Sequence, residues 1–203
     1  MSGTQSALAG FSARVRVSGY RPGLSACAHA PKYVAATAPT GQDGDVIQIR
    51  TAVPGDVVLL ASLNHIVHDL HTRQRPDLFA ESPEAAAVEA FFRAQLADPS
   101  VTVLLAEGTE GEALGYAVAR VKDRPGTALT RSDVIVSLDQ IAVVADAARR
   151  GVGAALLEAV REVGRAAGCR RLVTDVWQFN VGAREFYEAA GFRPTTVHLD
   201  QPL

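Results

Sequence analysis

The segment Arg149 to Leu157, RRGVGAALL, constrains this chain more than any other, because two glycines spaced two apart run directly into a helical apolar pattern. Val152, Leu156, Val160, Val163 and Ala167 step by three or four residues until Gly168 interrupts them, which predicts one apolar helix face and a C-terminal stop. The apolar run Ile141 to Val144 ahead of it reads as a strand. Strand, glycine loop and helix in succession bring unpaired backbone N–H groups and the positive end of a helix dipole to one point. An anion such as a phosphate is favoured there. Gly151 and Gly153 lack the Cβ atoms that would hold a phosphate off the backbone, and Arg149 and Arg150 add positive charge.

The surroundings narrow the choice of phosphate ligand. A dinucleotide fold places G-x-G-x-x-G near its first strand, and a P-loop needs Lys followed by Ser or Thr. Here Ala154, Ala155 and Leu156 follow Gly153, and the loop comes late, after several strand-like runs. A second pattern follows: Asn180, Ala183, Phe186, Tyr187 and Gly191-Phe192 spell N-x-x-A-x-x-F-Y-x-x-x-G-F. On spacing alone, Ala183, Phe186, Tyr187 and Ala190 share a helical stripe that Gly191 ends, so Tyr187 also reads as a core aromatic.

The two motifs in this order resemble the GNAT superfamily of acyl-CoA N-acyltransferases, from Val46 to the chain's end. The family's pyrophosphate loop, Gln/Arg-x-x-Gly-x-Gly/Ala, is matched by Arg150-Gly151-Val152-Gly153, with Ala148 in the opening slot. The resemblance implies an α/β (α+β) fold, a mixed, mostly antiparallel twisted sheet with helices on both faces, in the order β-α-α-β-β-β-α-β-α-β. It implies acetyl-CoA as co-substrate, held by Arg149, Arg150, Gly151, Val152, Gly153 and Ala154, by Ile141, Ala142 and Val143 on the preceding strand, and by Asn180. Asn180 reads equally as a helix N-cap before Val181.

The acceptor implied is a primary amine on a small molecule or a protein, attacking the thioester directly. Tyr187 matches the family's general acid, which gives a proton to the departing CoA sulfur. Backbone N–H groups near Val143 would hold the oxyanion. The amine must also lose a proton, and two carboxylates are candidate bases: Asp139, placed by strand alternation with Ile141 and Val143, and Asp175, placed on the next strand with Trp177. The alternative is a non-catalytic acyl-CoA-binding regulatory or interaction module of the same fold. The intact Tyr187 and the two carboxylates favour the enzyme.

The remaining elements read as a strand at Val46 with Ile47 and Ile49 alternating, a helix from Gly55-Asp56, and a second helix through about Leu96 with Ser82 as its N-cap and Pro83 at its first position. Val101 to Ala106 and Leu114 to Val121 form a hairpin, and Val134 to Val144 follows as a strand. After the glycine-loop helix come a strand from Arg171 to Gln178, a helix from Val181 to Ala190 and a last strand near Thr195 to Leu199. His65, His68 and His71 recur every three residues on the first helix, but no cysteine or paired carboxylate completes a metal set. No metal is expected; with Arg73, Arg75 and Phe79 these histidines border an acceptor cleft or face solvent. Trp177 and His198 carry no signal beyond burial.

At 203 residues, 48% of them hydrophobic, the chain suits one globular domain. Residues 1–43 are rich in Ala, Ser, Gly and Pro, basic and without an acid before Asp43, and read as a disordered or weakly ordered extension; residues 44–203 form the acyltransferase domain. That extension lacks the amphipathic arginine spacing of an organelle transit peptide and the apolar core of a secretory signal. A net charge of -2 and no basic patch argue against nucleic acid, and no apolar run is long enough for a membrane span. Cys27 and Cys169 are too few and too dispersed for a disulfide framework, which points to the cytoplasm. A homodimer is compatible with these features.

Overall fold

The computed structural model describes residues 36–39 and 46–201. Six strands form one sheet in sequence order: β1 (Ala36–Pro39), β2 (Val46–Thr51), β3 (Val101–Glu107), β4 (Ala113–Arg124), β5 (Asp133–Val143) and β6 (Arg171–Thr174). Strands β1 to β5 pair antiparallel, whereas β5 and β6 are parallel. A parallel pair needs a crossover, and α3 (Val152–Ala166) supplies it.

Strand alternation divides the interior in two. On one face Ile47, Ile49, Leu104, Ala117 and Leu138 meet Leu156, Val160 and Val163 of α3, with Tyr187 of α4 (Val181–Ala189). On the other, Val103, Leu105, Tyr116 and Val118 meet Leu60 and Leu63 of α1 (Val57–Gln74) and Phe92 of α2 (Ala85–Ala97). Burial on both faces explains why β3 reads VTVLLA without polar alternation. The mixed, mostly antiparallel α/β architecture expected from the sequence is therefore present, with helices on both faces.

Several elements differ from expectation, β4 among them, which runs on to Arg124 where Val121 was expected. Helix α2 starts at Ala85 with Glu84, not Ser82, as its N-cap, and β6 ends at Thr174 instead of reaching Gln178. The strand expected at Thr195 to Leu199 is absent, and residues 192–200 carry no regular element. A strand needs a hydrogen-bonded neighbour, and here Val197 and Leu199 are 76% and 86% exposed, the segment being tethered through the Asp200 carboxylate to Arg75 at 2.9 Å. Strand β1 lies within the stretch read as an extension and pairs Ala36 to Pro39 with Ile49 to Val46; the rest of that stretch is outside the described residues.

One irregularity bears directly on function. Val118 pairs with Gln140 but Ala119 pairs with Leu138, so Asp139 is an extra residue, a β-bulge. The bulge keeps Ile141 and Val143 on the α3 face that Val136 and Leu138 already occupy. Asp139 instead sits with Ser137, Lys122 and Arg120, and Arg120 also reaches Asp98 and Gln95 at the end of α2. The expectation that Asp139 shares a face with Ile141 and Val143 is thus corrected: simple alternation fails across a bulge.

Candidate active site

After β5 the chain makes a 3-10 turn at Ala145–Ala147, and Arg149 and Gly151 then take φ of +62° and +87°. Gly151 adopts this left-handed conformation at little cost because it has no Cβ. It is also the N-cap of α3. The first helical bond runs from the Ala155 N–H to the Gly151 carbonyl at 2.9 Å, so the N–H groups of Val152, Gly153 and Ala154 have no acceptor within the helix. Buried Val152, Leu156 and Leu157 hold this helix end against the sheet. A Cβ built on Gly153 would lie 3.5 Å from the Phe186 ring and 3.8 Å from Val143, so α3 starts in contact with both α4 and β5.

The pairing of β5 with β6 ends at Leu138 and Thr174, and from there to Val143 the strand β5 has a partner only in β4. Val144 donates its N–H to the Leu114 carbonyl at 3.0 Å, on the β4 side. Antiparallel alternation therefore turns the N–H groups of Ile141 and Val143 the other way, into the gap that β6 leaves open. Gly115, opposite Val143, allows the strands to approach: a Cβ there would stand 2.3 Å from the Ala142 carbonyl oxygen.

Tyr187 stands at the fork between the two strands. It is 7% exposed, flanked by Phe186 and Phe192 with ring centroids 5.3 Å away on each side. Its hydroxyl lies beside the Thr174 side chain, whose own hydroxyl donates to the Leu138 carbonyl at 2.9 Å. Burial raises the Tyr187 pKa above the ordinary tyrosine value, with Thr174 opposing, so the phenol is protonated at neutral pH. A protonated phenol can act as an acid.

The other residues singled out in the sequence fall into place around this fork. Asn180 caps α4, its Oδ1 accepting the Ala183 N–H at 3.1 Å, so the capping role is observed. Asp175 follows Thr174 directly, just beyond β6, and is exposed. Asp139 accepts from Ser137 at 2.6 Å and from Arg120 at 3.1 Å, with the Lys122 ammonium at 3.5 Å. His65 contacts the Ser62 carbonyl and His68 the Ala80 carbonyl, at 2.7 Å for the latter.

An aromatic groove of about 300 Å³ opens on the α1–α2 side, where the sequence offers the α1 histidines and Phe79 as the border of an acceptor cleft; its other aromatic contacts are not legible in the sequence. Asn64, His68 and His71 of α1 line it with Phe79, with Val88 and Phe91 of α2, and with Gln140 of β5. His71 stacks on Phe79 at 5.0 Å, and both contact Trp177, which itself stacks on Phe179 at 5.6 Å. Burial lowers the His71 pKa below the ordinary value, with the charge of His68 adding to the effect. At the floor, the fully buried Tyr116 places its hydroxyl 2.9 Å from Gln140 and 3.2 Å from Asn64. The phenol has one proton for two amides, so one of them offers its NH2 to the phenol oxygen. The aromatic spacing in sequence, Phe79 far from Trp177 and Phe179, concealed this convergence.

An open strand edge, a helix start with unpaired N–H groups and a buried protonated tyrosine together define an acyl-transfer class of site. Residues 64–192 match the acetyltransferase (GNAT) family, and the chain belongs to that family. It is an acyl-CoA N-acetyltransferase, with acetyl-CoA as co-substrate. An aminoglycoside N(6')-acetyltransferase type 1 of Klebsiella aerogenes is 32% identical over 117 residues, spanning 58% of this chain and 74% of that protein. A protein of the same name from Stenotrophomonas maltophilia is 36% identical over 110 residues, spanning 53% and 71%. Among solved structures, a tetramutant of the BH1408 protein from Bacillus halodurans superposes with a TM-score of 0.72 at 26% identity, over 76% of this chain and 99% of that one. The aminoglycoside N-acetyltransferase AAC(6')-Iy, in complex with CoA, gives a TM-score of 0.64 at 22% identity, over 79% and 96%. No helix among the described residues is long and apolar enough to cross a membrane.

Proposed function

We propose that this enzyme moves the acetyl group of acetyl-CoA to a primary amine by direct attack, with Tyr187 as the general acid. The observation that carries this reading is the Tyr187 hydroxyl at the point where β5 and β6 part, beside Thr174. The α3 N-terminus, with Arg149 and Arg150 on its approach, binds the pyrophosphate through the N–H groups of Val152, Gly153 and Ala154. The outward N–H groups of Ile141 and Val143 hold the thioester arm and the oxyanion. The amine nitrogen bonds to the carbonyl carbon, the C–S bond then breaks, and the thiolate takes the Tyr187 proton. The proton lost by the amine goes to Asp175, directly or through one water.

Of the two carboxylates, Asp175 is favoured because it adjoins Thr174 and is exposed, whereas Asp139 is already engaged by Arg120, Lys122 and Ser137. Asn180 acts as the cap of α4, which orients Tyr187, and its role toward CoA is indirect. Thiol release followed with acetyl-CoA and a panel of primary amines tests the reading. Amine-dependent release with no acetylated protein by mass spectrometry is expected. Calorimetric binding of acetyl-CoA without any amine-dependent release would favour a non-catalytic acyl-CoA-binding module instead.

A further inference from the structure

Resting on the amine-transfer reading above, we infer that the acceptor is a single amine on an apolar, aromatic body, and that the groove between α1 and α2 selects it against polycationic amino sugars. The groove reaches the chemistry through Gln140, which lies on β5 next to Ile141, whose N–H faces the open gap. Its walls are Val67, Phe79, Val88 and Phe91, with His71 joining Phe79 to Trp177 beyond. An apolar ring gains by leaving water for these surfaces and can meet their edges in stacked or T-shaped contact.

The polar groups in the groove point the same way. Among the described residues no carboxylate lines it, and its hydrogen-bonding groups are the uncharged amides of Asn64 and Gln140 and the two histidines. Several ammonium groups desolvated here would find no partner charge, a cost that grows with each one. Nor is the indole of Trp177 open to a cation, since the Arg75 guanidinium already lies 5.5 Å from its ring centroid. The nearby carboxylates of Asp77 and Asp200 are spent on Arg75, at 2.8 and 2.9 Å. A groove of about 300 Å³ is also at the small end of ligand sites, which run from roughly 300 to 1,000 Å³, and so suits one ring better than three. An apolar wall further favours the unprotonated amine, the form able to attack.

The test compares 2-phenylethylamine with kanamycin as acceptors for the full chain, by acetyl-CoA-dependent thiol release over a concentration series of each. A kcat/KM higher by about 10-fold or more for 2-phenylethylamine is expected, the scale that apolar contacts in a binding site provide. Phe91 lines the groove yet is 42% exposed, so Phe91→Ala should fold normally, raise the KM for 2-phenylethylamine several-fold and leave the KM for acetyl-CoA unchanged. Faster turnover of kanamycin would overturn the inference and leave acetyl transfer standing. Unchanged KM for 2-phenylethylamine in both Phe91→Ala and Phe79→Ala would overturn it as well. Acetyl-CoA binding without release by either amine would overturn the transfer reading, and this inference with it.

Discussion

Gly115→Ala offers the sharpest test of the close strand approach behind the site. The new Cβ would stand 2.3 Å from the Ala142 carbonyl oxygen and 3.1 Å from the Val143 Cα, where ordinary contact begins near 3.4 Å. Both are backbone atoms, so no rotamer change relieves the clash and the strands must separate by about 1 Å. Overpacking of this kind costs about 1–3 kcal/mol. For a domain of this size that corresponds to a fall in Tm of roughly 2–12 °C. The displaced residues are those whose N–H groups are proposed to face the reacting carbonyl, and a misplacement of about 1 Å can slow a reaction about 10²-fold. Acetyl-CoA affinity should change less, because the α3 N-terminus is seated by its own buried residues. Scanning calorimetry and saturating thiol-release kinetics report the two effects separately. A Tm within about 1 °C of wild type together with kcat within about twofold would refute the reasoning.

Tyr187→Phe keeps the ring between Phe186 and Phe192 and removes only the hydroxyl, so kcat should fall about 10²-fold or more while the KM for acetyl-CoA barely moves; equal turnover would make Tyr187 a packing residue. Because burial raises its pKa, the acid form persists past the ordinary value of about 10, and the wild-type pH–kcat profile should decline only above that pH, with the decline absent in the variant. Gly151→Asp puts a Cβ at a φ of +87° and a negative charge where the pyrophosphate is proposed to bind, so calorimetric titration should show acetyl-CoA affinity largely lost, and near-normal affinity in a folded variant would contradict the loop assignment. Asp175→Asn should depress the rate most near neutral pH and little at high pH, whereas Asp139→Asn should mainly lower Tm by loosening the Arg120 and Lys122 contacts; the reverse pattern in pH–rate and melting data would exchange their roles.

Residues whose roles depend on local spacing were legible in the sequence. The glycine loop, the α3 stripe and the Tyr187 helix all involve contacts within a few positions, and periodicity plus two glycines is enough to locate them. Long-range placement was not legible. A bulge is a mismatch between two strands, and nothing in the string Ser137 to Gln140 announces which residue will lack a partner. The same holds for Thr195 to Leu199, whose alternation suits a strand but whose partner no local pattern can supply. Trp177 read as no more than a buried residue until folding brought it against His71 and Phe79, far earlier in the chain. Asn180 could be read two ways because a cap and a ligand contact ask for the same amide.

The unpaired residue at position 139 makes the oxyanion-facing edge a matter of counting. Upstream of it, the even-numbered positions of β5 turn their peptide groups toward β6; downstream, the odd-numbered ones face that side. One strand is thus divided into two reading frames, the first spent on a neighbouring strand and the second left for a bound molecule. Exchanging Asp139 for another residue leaves both frames in place, whatever it does to the surrounding charges. Were Asp139 instead paired in regular register, the Ile141 and Val143 amides would turn toward β4 and their side chains away from α3, whereas deleting it would join Leu138 to Gln140 in the pairing they already have. The orientation of this edge therefore depends on position 139 being left out of the pairing more than on which residue fills it.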